Sequence, residues 1–125
     1  MLLNEYYRID ERIALNDESI FGIILLSDYH VYEGHFPGNP VSPGVCTIQM
    51  IKECAELLAD KRLMLVYLAK CRFSAMLSPQ SSSRRWLRLR LTETDEEKNA
   101  NYQVIATIYD DVKTYVEFKG EFAIR

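Results

Sequence analysis

The spacing of hydrophobic residues changes near the middle of this chain, and the change predicts one helix set among strands. Ser19 to Ser27 holds the run Ile20-Phe21-Gly22-Ile23-Ile24-Leu25-Leu26. It is too short for a membrane span and β-branched enough to be a strand buried on both faces. From Val45 to about Ala59, the apolar positions Val45, Ile48, Ile51, Ala55 and Leu58 recur at three- and four-residue steps, with Met50, Cys54 and Leu57 widening the stripe. That segment predicts a mostly buried helix. Beyond Asp60-Lys61-Arg62 the period falls to two. Leu87, Leu89 and Leu91 alternate with Arg88, Arg90 and Thr92, and Val116, Phe118, Phe122 and Ile124 with Glu117, Lys119 and Glu121. Such alternation predicts antiparallel strands, joined by polar segments at 78–83, 95–99 and Asp110-Asp111. One strand, a long helix and then about four strands make an α+β class in which a sheet can wrap the helix, and residues 1–125 read as a single domain.

Composition acts mainly by exclusion. A chain of 125 residues, 48% hydrophobic and 26% charged, suits one modest core. A formal net charge of −3 argues against a general nucleic-acid binder, which needs a basic surface. Cys46, Cys54 and Cys71 are odd in number and form no C-x-x-C pair, so neither a disulfide framework nor a metal site is expected. A reducing cytoplasm fits best. Met1-Leu2-Leu3-Asn4-Glu5-Tyr6 lacks a basic leader, and no run of about 18 apolar residues occurs, so a soluble protein without a membrane span is expected.

Candidate chemistry concentrates in Gly34-His35-Phe36-Pro37-Gly38-Asn39-Pro40-Val41-Ser42-Pro43-Gly44-Val45. Three prolines and three glycines in this span imply a loop of defined shape. Pro43-Gly44 then opens the predicted helix, whose first N–H groups lack intrahelical acceptors and carry the positive end of the dipole. A carbonyl oxygen can be received there, near the His35 imidazole. His30, among Asp28-Tyr29 and Val31-Tyr32, reads as structural. A thiol at Cys46 in the first helical turn can in principle become nucleophilic, but nothing is arranged to serve it, and a core role explains it better.

The loop resembles the signature of the β-hydroxyacyl-acyl-carrier-protein dehydratases, in which H-F-P-G-x-P-x-x-P-G is followed five residues later by a carboxylate. Tyr7-Arg8-Ile9-Asp10 looks like that family's lead-in, and Leu68-Ala69-Lys70-Cys71-Arg72-Phe73 like its L-A-x-x-x-x-F strand. The resemblance implies a hot-dog fold, an antiparallel sheet around one long helix. It also implies dimers that join sheets edge to edge and share sites between protomers, with larger homo-oligomers or a heterodimer with a paralogue as further options. No cofactor is implied beyond the phosphopantetheine of an acyl carrier protein. The implied catalytic residues are His35 as base toward the α-proton of a 3-hydroxyacyl thioester and the Gly44 N–H as oxyanion donor. Phe36, Pro43 and Val45 are the candidate substrate contacts, and Ile48 and Met76 could extend an acyl channel.

Gln49 occupies the position of the family's general acid. An amide cannot donate a proton at ordinary pH and can only orient the hydroxyl or a water. Glu53 lies one helical turn further along, where many members carry glutamine. It is either a displaced acid or, with Lys52 and Glu56, part of a solvated stripe. Arg84, Arg85, Arg88 and Arg90 could steer an acidic carrier protein or form an ordinary surface paired to acids. The expected function is dehydration to a trans-2-enoyl thioester in fatty acid or related lipid or polyene synthesis. A catalytically weak binding subunit of an active paralogue is the alternative. A hot-dog thioesterase is weaker still, since Gln49 cannot activate water.

Overall fold

The computed structural model describes residues 1–26, 43–79, 84–94 and 100–125. Six strands and one helix follow in the order β1 (Tyr7–Ala14), β2 (Ser19–Leu25), α1 (Gly44–Ala59), β3 (Leu63–Phe73), β4 (Arg85–Glu93), β5 (Tyr102–Tyr109) and β6 (Thr114–Ile124). The strands form one antiparallel sheet ordered β1-β2-β4-β5-β6-β3. This is the α+β architecture expected from the sequence, with two strands before the helix instead of one.

Period-two patterning sets the inner face. Phe21 pairs with Leu87, Leu87 with Ile108 and Ile108 with Val116, so one row of buried apolar side chains crosses four strands. A second row places Ala106 between Leu89 and Phe118. Gly120 makes room beside it: a Cβ there would lie 2.9 Å from Phe118 Cζ and 3.1 Å from Leu65 Cδ1. At the other end of the sheet β1 carries a bulge between Ile9 and Glu11. Arg84 clamps that bulge through Asp10 at 2.6 Å and Glu11 at 3.0 Å.

The helix packs on β3 and β4, and Thr47, Met50, Ile51, Glu53, Cys54 and Ala55 are its buried residues. Its inner face therefore differs in phase from the stripe expected from the sequence. Val45 stands 74% exposed and Leu57 is also exposed, while Thr47 and Glu53 point inward. With apolar residues almost all round the axis, periodicity could not choose the face, and the sheet did. Asp60 ends the helix in the left-handed conformation at φ 53°, a role that short polar side chains tolerate. Glu56 accepts a hydrogen bond from the Leu63 N–H at 2.8 Å, fixing the turn into β3.

β3 is an edge strand. Met64, Val66, Tyr67, Leu68 and Phe73 are all exposed on it, an apolar surface along a row of backbone groups that no other described strand pairs. No described helix is long and apolar enough to cross a membrane.

Candidate active site

Pro43 caps α1 in an extended conformation (φ −64°, ψ 143°), and its carbonyl accepts from the Cys46 and Thr47 N–H groups at 3.1 and 3.2 Å. No side chain among the described residues caps the helix, and its first turn contains no acidic residue. Among the described residues the amide end thus keeps N–H groups without a side-chain acceptor, and the dipole favours negative charge there. Gly44 lines a cavity of about 630 Å³ with Thr47, Phe73, Ser74, Ala75, Met76 and Lys113. The absence of a side chain matters at this point: a Cβ on Gly44 would come within 3.2 Å of Phe73 Cζ, so glycine lets the ring close one wall of the cavity. Met76 lines the same cavity; Val45, exposed, does not. His35 and Phe36, together with His30 and Val41, lie outside the described residues.

Gln49 faces elsewhere. Five residues from Gly44, it sits roughly 140° around the helix and about 7.5 Å along it. It borders a second cavity of about 430 Å³ with Met1, Lys52, Glu53, Glu56, Leu57, Arg62 and Arg125. Within one chain, then, Gly44 and Gln49 open onto different cavities.

Glu53 is fully buried, which overturns the solvated stripe. Its Oε2 accepts from the Leu2 N–H at 2.8 Å and Gln49 Nε2 at 2.8 Å; its Oε1 accepts from the Leu3 N–H at 3.0 Å and the Tyr7 hydroxyl at 3.0 Å. Four donors on one buried carboxylate tie the start of the chain and β1 to α1, as a buried charged group requires. Tyr7 had no signal in the sequence beyond its aromatic character. Its contact with Glu53 spans 46 positions and comes only from the tertiary fold.

Burial, joined by the neighbouring Cys54 and Glu53, drives the Tyr7 hydroxyl far above its ordinary value, and burial pushes the Cys54 thiol up to about 12. Burial also raises the Cys46 thiol, so its place in the first turn does not make it a ready nucleophile. An unfolded thiol titrates near about 8.5, so between there and 12 the folded state keeps a proton that the unfolded chain releases. Stability therefore falls as pH rises through that window, with Tyr7 adding to the loss at its upper end. We expect Cys54→Ala to soften this alkaline loss and iodoacetamide at pH 8 to label Cys54 last of the three cysteines. Rapid labelling of Cys54 in the native protein, read by peptide mass mapping, would contradict its placement.

Three of the four arginines in the basic cluster are paired within the chain: Arg84 with Asp10 and Glu11, Arg88 with Glu18 at 3.6 Å and Arg90 with Asp17 at 3.4 Å. Arg85 is buried with its guanidinium 5.1 Å over the Tyr115 ring. Their charge is largely answered by neighbours, as in the ordinary-surface alternative.

A six-stranded antiparallel sheet with one packed helix and an open helix N-terminus facing a cavity is the hot-dog-like architecture of a class of dehydratases. The family model described as ApeI dehydratase matches residues 14–117, and the chain belongs to this ApeI-like dehydratase family. No curated protein matches it. Among solved structures, the dehydratase heterocomplex ApeI:P from Xenorhabdus doucetiae superposes with a TM-score of 0.72 at 20% identity, over 92% of this chain and 96% of that one. An uncharacterized protein from Erwinia carotovora subsp. atroseptica gives 0.56 at 20% identity, over 91% and 90%. At that identity the two structures share the fold.

Proposed function

We propose that the protein acts in the dehydration of 3-hydroxyacyl thioesters carried on the phosphopantetheine of an acyl carrier protein, in fatty acid or related lipid or polyene synthesis. In this reading the His35 imidazole takes the α-proton, and the enolate charge on the thioester oxygen is received by the Gly44 N–H. The β-carbon–oxygen bond then breaks as the protonated His35 returns that same proton to the departing hydroxyl, so that water leaves, His35 is neutral again and a trans-2-enoyl thioester remains. The observation that carries the reading is the uncapped helix end at Gly44, open to a cavity walled by Phe73, Ala75 and Met76. The carrier supplies the phosphopantetheine, and the protein needs no cofactor of its own.

A second reading makes this chain one subunit of a heteromeric dehydratase whose partner supplies the acid. Three observations favour it. Gln49 cannot protonate a leaving hydroxyl; β3 offers an apolar free edge; and a similar fold occurs in the ApeI:P heterocomplex. Enoyl-thioester formation followed by mass spectrometry tests both. We expect His35→Ala to lower turnover by roughly 10²–10⁴-fold, the usual worth of a positioned acid or base. Wild-type turnover unchanged by His35→Ala would sink the mechanism. Turnover that appears only with an added acid-bearing paralogue would select the heteromer.

A further inference from the structure

Glu53 and Gln49 are one helical turn apart and in contact, and the direction of that contact is chemically determined. A carboxylate only accepts hydrogen bonds, so the Gln49 amide must turn Nε2 toward it. The reverse orientation would press Oε1 against Oε2 at the 2.8 Å separation now bridged by a proton. At that separation the contact is direct and leaves no room for a bridging water, although Glu53 also borders the cavity on which Gln49 opens. Each Glu53 oxygen already receives two donors. Acting as an acid would mean presenting a hydrogen where the Leu2 and Leu3 N–H groups and an amide NH₂ already point as donors, with the Tyr7 hydroxyl the one partner able to turn and accept it.

We propose that Glu53 is a positioning residue and not a displaced acid: it holds Gln49 by its NH₂ end, leaving Oε1 as an acceptor for a hydroxyl. The roles of acid and anchor have thereby exchanged places along the helix. The inference rests on the dehydratase reading for the identity of that hydroxyl, but not for the contact itself. One consequence is that Gln49→Glu alone cannot restore an acid cleanly, because it sets two carboxyl groups against each other. Restoration needs Gln49→Glu together with Glu53→Gln.

The test compares Gln49→Glu, Glu53→Gln and the double exchange by Tm between pH 5 and 9, and by enoyl formation from a 3-hydroxyacyl carrier-protein substrate, with an acid-bearing paralogue absent or added. Among the described residues, the titratable or charged groups around the pair are Tyr7 and Arg12 from β1, Cys54 from α1 itself, and the Met1 amino group, Lys52, Glu56, Arg62 and Arg125 around the outer cavity. They are common to every variant, so the wild-type profile subtracts them. Two adjacent carboxyl groups share a proton that unfolded carboxyls, near about 4.3, have released. The folded state then binds more protons than the unfolded one, so stability falls as pH rises above that value.

We expect the Tm of Gln49→Glu to fall, relative to wild type, by roughly 5–15 °C between pH 5 and 8. The double exchange should show a flat difference from wild type, at a constant lower Tm because a glutamine cannot accept from all four donors. It should also turn over faster than Gln49→Glu. A Gln49→Glu profile parallel to wild type would overturn the contact, and loss of turnover in Glu53→Gln with no recovery in the double exchange would make Glu53 the acid after all. If no variant forms enoyl product under any condition, the dehydratase reading falls, while the pH profile still decides the anchor.

Discussion

Alanine at position 53 is expected to cost the fold roughly 3–5 kcal/mol, because it removes the shared acceptor of four donors, the Tyr7 hydroxyl buried and the other three part-buried, and empties a fully buried site. The Leu2 and Leu3 N–H groups, the Tyr7 hydroxyl and Gln49 Nε2 all lose their acceptor. For a domain of this size the loss corresponds to a fall of about 10–20 °C in Tm, a large share of an ordinary stability margin. Glu53→Gln should cost less, since it keeps the shape and one acceptor oxygen. Calorimetry of both variants and hydrogen exchange at Leu2 and Leu3 check the claim. Slow exchange at those two amides in the wild type, lost in Glu53→Ala, is the expected signature. Fast exchange in the wild type would show that the carboxylate does not hold them.

The second large effect lies across the sheet. Phe122 is fully buried, opposite Leu65 on β3 and Tyr102 on β5, with its ring centroid 6.2 Å from that of Phe118. Phe122→Ala should destabilise by roughly 3–5 kcal/mol, combining lost transfer energy with the cavity left behind. Ile105→Ala, on the outer face of β5, should fall within about 1 kcal/mol of wild type. Urea titration separates them by midpoint at a common slope. Equal losses at the two positions would mean that the inner and outer faces of the sheet have been exchanged.

Much of this architecture is legible in the residue pattern, and the exceptions have physical causes. β4 and the middle of β6 alternate, so the inward Leu87, Leu89, Val116, Phe118 and Phe122 follow from sequence, while at the ends of β6 Tyr115 is buried next to Val116 and Ile124, expected inside, is exposed. β1 hides because the bulge at Asp10 breaks its parity: Ile9 and Ile13 do not mark a continuous face, and most of the strand is exposed. The site divides in the same way. The position of Gly44 at a helix start follows from Pro43-Gly44 and is found there. The environment of Glu53 does not follow from sequence, because a carboxylate on a helix reads as wet until Leu2, Leu3 and Tyr7 arrive from 46 to 51 positions away. His35, the residue on which the motif turns, is outside the described residues and rests on the proposed experiment.

The sheet order also carries a consequence for how the chain is made. β3 is synthesised directly after the helix, yet its neighbour among the described strands is β6, which begins at Thr114, after two further strands. On the ribosome the strand with the most exposed apolar surface therefore waits, unpaired, while β4 and β5 emerge. Closing that long loop is the slow, non-local step of the topology. During this interval Met64, Val66, Tyr67 and Leu68 are open to whatever else is nearby, including a nascent or finished copy of a companion chain. Completion of this fold is thus a matter of timing as well as affinity, since β3 reaches its place only once β6 has been made.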